Sequence, residues 1–212
     1  MSRMWLRYEK GEEAKFISHL DFLRAITRTL RRAEIPVKFS EGFNPHPRLS
    51  FALPLPLGTT SITELMEMET DLEIAPEELI ERLNGAVPYG IKFIECGISP
   101  DKNKFKEIYA SKYKIVMDNS LTDKDIEDFM KLDEIIAIKK TKSSEGEVNV
   151  REDIKGIKKE GNDIILTLSA GNNGYLKPEV ALSAMEKYIE GFSAEDYECV
   201  RIGILDSNLR YI

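Results

Sequence analysis

Two Pro-Glu pairs, Pro76-Glu77 and Pro178-Glu179, stand 102 residues apart in a chain of 212. Each has the form of a helix start, since proline suits the first helical position and acids suit the positive end of the helix dipole. The only two cysteines, Cys96 and Cys199, recur at nearly the same interval. Matched spacing at two landmarks points to a duplicated unit of about a hundred residues, which restricts the chain to folds that such a unit builds twice.

The order of elements agrees. Residues 5–8 read as a strand, and Ser18 with Asp21 opens a helix that runs to about Glu34, where Pro36 restricts Ile35. Residues 37–39, 49–53 and 62–69 are extended, Pro76 starts a second helix, and residues 91–98 form a closing strand. The second half repeats this order. A strand at 112–117 leads to a helix capped by Thr122 and Asp125 and reaching about Leu132, then a strand at 134–139 and a polar loop at 141–147. A turn at 160–163, a strand at 164–168, the Pro178 helix and a strand at 199–205 complete it. The fold class is α+β: two tandem ferredoxin-like (βαββαβ) domains with antiparallel sheets, residues 1–103 and 104–212, joined through the polar segment 99–107.

Composition limits the partners. Hydrophobic residues make up 42% of the chain and charged residues 32%, too apolar for a disordered chain. No apolar run is long enough to span a bilayer, and the charged start Met1-Ser2-Arg3 lacks a signal core, so a cytoplasmic protein is expected. The net charge of −7 is uneven: residues 1–60 hold ten Lys/Arg against six Asp/Glu, or +4, which leaves −11 for the rest. A basic head on an acidic body suits a local anionic partner.

The wheel of the first helix sharpens that. Phe22, Leu23, Ile26, Leu30 and Ala33 fall on one side, and Arg24, Arg28, Arg31 and Arg32 on the other. This is either the solvated face of an amphipathic helix or an anion-binding surface, for which guanidinium geometry is well matched. Lys38 and the segment Ser40-Glu41-Gly42-Phe43-Asn44-Pro45-His46-Pro47-Arg48 follow. Gly42 permits close backbone approach, two prolines stiffen the loop, Asn44, His46 and Arg48 carry hydrogen-bonding groups, and Phe43 offers a ring for stacking. The plain alternative is a rigid turn with a hydrogen-bonded histidine. His19 falls toward the apolar side and reads as a packed structural residue. The acids between Glu64 and Glu81 read as a solvated face, and Met66 and Met68 as core. Phosphate-loop, dinucleotide, zincin, EF-hand and nucleophile-elbow patterns are missing, and two cysteines cannot form a structural zinc site; no metal and no cofactor is expected.

Phe16-Ile17-Ser18-His19-Leu20-Asp21, the arginines at 24 and 28, Ser40-Glu41-Gly42-Phe43-Asn44-Pro45-His46-Pro47, Pro54-Leu55-Pro56-Leu57-Gly58 and Ser61 closely resemble the radical-SAM-linked protein family, a bacterial domain of unknown function. The resemblance extends to residues 149–151 and to Lys177-Pro178-Glu179. It marks Ser18, His19 and Asp21 as a structural motif. It implies a radical SAM enzyme as partner, often one with a cobalamin-binding region, in an RNA-related genetic setting. The chain has no CxxxCxxC motif for an iron–sulfur cluster, which makes it the accessory half. Three readings follow. The first is a non-catalytic module that binds tRNA or rRNA, a radical SAM partner or both, through Arg24, Arg28, Arg31, Arg32, Lys38, Gly42, Phe43, Asn44, His46 and Arg48. The second is a metal-independent endoribonuclease resembling CRISPR repeat-processing enzymes, with His46 as acid or base and Lys38 or Arg48 stabilising the phosphorane. The third is a protein-interaction adaptor whose arginines meet an acidic partner surface.

Overall fold

The structure is a computed structural model that describes residues 2–99, 104–140 and 145–212. It divides into two compact units, Met1–Lys106 and Glu107–Ile212. The expected boundary at 103/104 and part of the expected linker lie outside the described residues, as does part of the polar loop at 141–147.

In the first unit, β1 (Ser2–Lys10) is central, paired antiparallel with β3 (Thr59–Thr70) on one side and β4 (Ile91–Ile98) on the other. The short β2 (Leu49–Phe51) pairs antiparallel with β3, giving the order β4-β1-β3-β2. Helices α1 (His19–Arg32) and α2 (Pro76–Asn84) join the strands in chain order. Alternation along β1 turns Met4, Leu6 and Tyr8 to one face, where Phe22, Ile26 and Leu30 of α1 and Leu79 and Leu83 of α2 cover them. Tyr8 stacks on Phe22 with ring centroids 5.2 Å apart. Met66 and Met68 of β3 lie in this core, as the sequence suggested.

Ser18 caps α1 by accepting from the Asp21 amide, and Pro76 occupies the first turn of α2, both as read from the sequence. The end of α1 has another cause than Pro36. The helix stops at Arg32, Glu34 takes a left-handed conformation (φ +54°), and the Arg82 guanidinium of α2 donates to the carbonyls of Ala33 and Glu34. A cation on the orphan carbonyls of a helix end satisfies both hydrogen bonding and the dipole.

The second unit contains β5 (Ala110–Val116), α3 (Asp123–Met130), β6 (Ile136–Lys140), β7 (Glu145–Asn149), β8 (Ile154–Glu160), β9 (Asp163–Ser169), α4 (Pro178–Tyr188) and β10 (Glu198–Leu205). Its antiparallel sheet runs β10-β5-β9-β8, and β6 and β7 form a separate hairpin. From the sequence, 134–139 is expected as the second strand of this half. That strand instead pairs with β7, and the sheet position is filled by β8, whose Lys- and Glu-rich sequence carries little apolar alternation. Thr122 and Asp125 form the full capping box on α3. Arg151 donates to the Met130 and Leu132 carbonyls, so each unit closes the end of its first helix with an arginine.

The cysteine interval does not mark equivalent positions. Cys96 is near the end of β4, whereas Cys199 is near the start of β10 and buried in the core. The Gly171-Asn172-Asn173-Gly174 segment is a short 3-10 turn where Gly171 is obligatory, since a β-carbon there would lie 2.3 Å from the Ile108 carbonyl oxygen. Among the described residues no helix is long and apolar enough to cross a membrane.

Candidate functional site

Burying Phe22, Ile26 and Leu30 turns the opposite face of α1 to solvent, and Arg24, Arg28, Arg31 and Arg32 are all exposed. Their surroundings differ. Arg24 forms an ion pair with Asp21 at 2.9 Å, while Arg32 donates through Nε and Nη2 to the Ala86 carbonyl beyond α2. Asp21 also accepts from the Ser18 hydroxyl, and these hydrogen bonds, Ser18 first and Arg24 next, hold its carboxyl below the usual range. Arg28 and Arg31 have no ion-pair partner among the described residues.

Arg31 lies on a groove of about 540 Å³ that it lines with Thr27, Glu34, Ile35, Pro36, Val37 and Phe39. The groove exists because the chain leaves α1 through the left-handed Glu34 and returns extended along β3, with the Lys38 amide donating to the Glu69 carbonyl. Phe39, half exposed, links this groove to the loop that follows.

That loop is closed at its base. Phe39 and Pro47 form an antiparallel bridge, the Arg48 amide donates to the Lys38 carbonyl, and the Ser40 amide donates to the His46 carbonyl. The Ser40 hydroxyl hydrogen-bonds His46 Nδ1 at 2.8 Å and accepts from the His46 amide at 3.1 Å. Beyond this lock, Glu41, Gly42, Phe43, Asn44 and Pro45 project into solvent. Gly42 has φ +122°, open to glycine and strained for other residues. Phe43 is fully exposed, a large apolar ring left in solvent.

The remaining cations of the expected site are engaged. Lys38 pairs with Asp71 at 3.1 Å, and Arg48 pairs with Glu69 at 3.0 Å. Glu69 also accepts from Arg3, and hydrogen bonds from Arg3 and then Arg48 hold its carboxyl below its ordinary value despite partial burial. Glu67 is buried and accepts from the Ser99 hydroxyl at 2.7 Å. The acidic stretch of β3 is therefore no solvated face: Glu64, Glu67 and Glu69 are withdrawn from water and largely matched by cations and hydroxyls.

His19 also departs from the packed reading. It is exposed at the start of α1, with its ring edge-on to Phe51 at 5.5 Å. It stands at a small hollow lined by Tyr8, Lys10, Phe22 and Glu64. Lys10 and Glu64 are almost completely buried there, and Lys10 Nζ donates to the Ile17 carbonyl at 3.1 Å. Sequence reasoning missed both residues. The hollow measures about 20 Å³, which admits nothing larger than water. Its charges fasten the segment before α1 to the sheet.

Residues 3–178 match the model of a family described as an uncharacterized protein conserved in bacteria (DUF2344). The chain belongs to this family. The DUF2344 match takes in α1, the closed loop, the first sheet from Arg3 onward and the second unit as far as the first residue of α4. No curated protein matches the chain closely enough to say more.

Proposed function

We propose that the chain is a non-catalytic accessory module that binds RNA, tRNA or rRNA, and presents it to a radical SAM partner enzyme in the cytoplasm. The observation that carries this reading is the pair Arg28 and Arg31. Both are exposed without a carboxylate partner among the described residues, and Arg31 borders an apolar groove that leads through Phe39 to a loop bearing a fully exposed Phe43. Guanidinium groups beside solvent-facing rings suit RNA, whose phosphates take the cations and whose unpaired bases stack. Asn44 and the Nε2 of His46, which has no hydrogen-bond partner among the described residues, supply hydrogen bonds beside Phe43, and Gly42 keeps the backbone accessible. Arg24, Arg32, Lys38 and Arg48 frame this surface while committed to Asp21, Ala86, Asp71 and Glu69. The radical SAM partner rests on the resemblance of the Ser18–Asp21 and Gly42–Pro47 motifs alone.

The same commitments speak against the endoribonuclease reading. Lys38 and Arg48 already neutralise carboxylates, so neither is poised to take up phosphorane charge. For the scaffold we propose two tandem ferredoxin-like domains, supported by the parallel orders β4-β1-β3-β2 and β10-β5-β9-β8.

The test is a filter-binding titration against total cellular RNA at several salt concentrations. Binding should weaken with salt, and reversing Arg28 and Arg31 to Glu should reduce affinity at least about tenfold. Absence of binding at low salt, or binding indifferent to both reversals, overturns the proposal; capture of the radical SAM enzyme without RNA would support the adaptor reading instead.

A further inference from the structure

The helix-free face of the second sheet carries an unassigned hollow. Tyr113, Ile115, Ile157 and Leu166 turn toward α3 and α4, so the alternating residues Lys112, Lys158, Ile165 and Thr167 face the other way. The pairing registers align Gly203, Lys112, Thr167 and Gly156 in one row across β10, β5, β9 and β8. A hollow of about 250 Å³ lies over this row, bordered by Lys112, Lys155, Lys158 and Tyr211.

The two glycines shape it differently. At Gly203 a β-carbon would come within 2.5 Å of the Tyr211 ring, so glycine is what lets that ring lie against the strand. The ring is held in place because the segment after β10 folds back. Asp206 accepts from the Asn208 and Arg210 amides, Leu205 bridges Tyr211, and the Ile212 amide donates to the Ile204 carbonyl. Tyr211 nevertheless keeps 62% of its surface exposed. At Gly156, next to a register shift in β8, a β-carbon would meet nothing within 4 Å. Glycine there is not required by packing, and its effect is to leave the trough unfilled, as where a ligand approaches backbone closely.

The charge is equally specific. Lys112, Lys155 and Lys158 form no ion pair among the described residues, whereas their neighbour Lys114 holds Asp163 at 2.6 Å. Lysines on an edge strand discourage sheet-to-sheet association, which accounts for Lys155 and Lys158 on β8. It does not account for Lys112, which is on β5 with strands on both sides. Lys155 additionally sits 4.8 Å over the Tyr109 ring.

We infer that this face binds a nucleoside phosphate, its phosphate held by Lys112 and Lys158 and its base stacked on Tyr211. The hollow is slightly smaller than usual ligand pockets, which suits one nucleotide with its remainder in solvent. Free nucleotides and residues of an RNA strand share this chemistry. The site lies in the other unit from Arg28 and Arg31 and stands independently of the function proposed above.

The test titrates the full chain with adenosine 5′-monophosphate, inorganic phosphate and oligouridine while recording backbone amide shifts by NMR. The nucleotide should give saturable shifts at residues 155–158, 167, 203 and 211, with inorganic phosphate at least about tenfold weaker. Lys112→Ala and Tyr211→Ala should each weaken it by about tenfold, and Gly156→Val should block it by filling the trough. Oligouridine binding more tightly than the mononucleotide identifies an RNA residue as the ligand; equal affinity identifies the free nucleotide. The Arg28→Glu, Arg31→Glu chain should keep the whole response, which separates this site from the first. No saturable shift with any probe, a response to phosphate that the nucleoside does not improve, or a response unchanged in Lys112→Ala and Gly156→Val overturns the inference.

Discussion

Ser40 and His46 share one hydroxyl: it meets the ring Nδ1 at 2.8 Å and takes the backbone amide at 3.1 Å, adding a side-chain lock to the backbone bonds that close the loop. Ser40→Ala removes both bonds with little loss of buried apolar surface. Limited proteolysis should then cut between residues 41 and 46 several-fold faster, while the melting temperature changes little, because the bonds are local and exposed. Unchanged cleavage would mean that the backbone bonds at the loop base and the prolines hold it without the hydroxyl.

Arg82 should matter more than any arginine of the basic helix. Its two hydrogen bonds to the Ala33 carbonyl are partly buried and a third, to the Glu34 carbonyl, is exposed, and hydrogen bonds to charged groups contribute on the order of 2 kcal/mol. Arg82→Ala should destabilise the first unit by about that amount, and Arg82→Lys should fail to restore it because an ammonium cannot span both carbonyls. Trp5, the single tryptophan, lies on β1 and reports unfolding of this unit by its fluorescence in urea.

Glu69 sets an acid limit. Its folded pKa is depressed below 4.5 by Arg3 and Arg48, so it contributes stability that is complete above 4.5 and lost as pH falls through the lower folded value. Denaturation of wild type and Glu69→Gln should therefore differ most at neutral pH and converge in acid. A constant difference across the range would place the stabilisation outside this ion pair.

Gly171 and Gly161 both have positive φ, yet they should respond differently to alanine. At Gly171 the new methyl group meets the Ile108 carbonyl at 2.3 Å, so Gly171→Ala should cost on the order of 3 kcal/mol. At Gly161 nothing lies within 4 Å, and only the backbone strain of about 1 kcal/mol remains. Urea titrations followed by far-ultraviolet circular dichroism measure both.

Cys96 should be a sluggish nucleophile. Burial, with Glu77 and Glu95 adding to it, pushes its thiol up to about 11, and the thiol donates to the Pro76 carbonyl at 3.3 Å. Thiolate is the reactive form, so native Cys96 should react with a disulfide reagent at pH 8 much more slowly than in the unfolded chain. Equal rates would contradict this environment.

What the sequence disclosed was mainly local. Ser18 with Asp21, Thr122 with Asp125, and Pro76 and Pro178 act within one turn of chain, so their roles were readable without the fold. The arginine face of α1 was readable too, because it follows from helical periodicity. What each cation meets was not, since Ala86 and Asp71 come to Arg32 and Lys38 only through tertiary packing. Lys10 and Glu64 were invisible for the same reason: burial of a charge depends on what covers it. β8 escaped notice because Lys155, Gly156 and Lys158 face away from the core and blur its alternation.

The connection between the first helix and the strand that completes the sheet edge differs most between the two units. In one it is the Ser40-locked loop, in the other the β6–β7 hairpin with its Arg151 clasp. Both begin just after a helix whose end is sealed by an arginine later in the chain; Ala137 of the hairpin packs into the core, whereas residues 41–45 of the Ser40-locked loop stay outside it. This joint is thus a natural graft point: foreign peptide inserted at residues 42–43 would be carried on a rigid base without the sheet having to re-form.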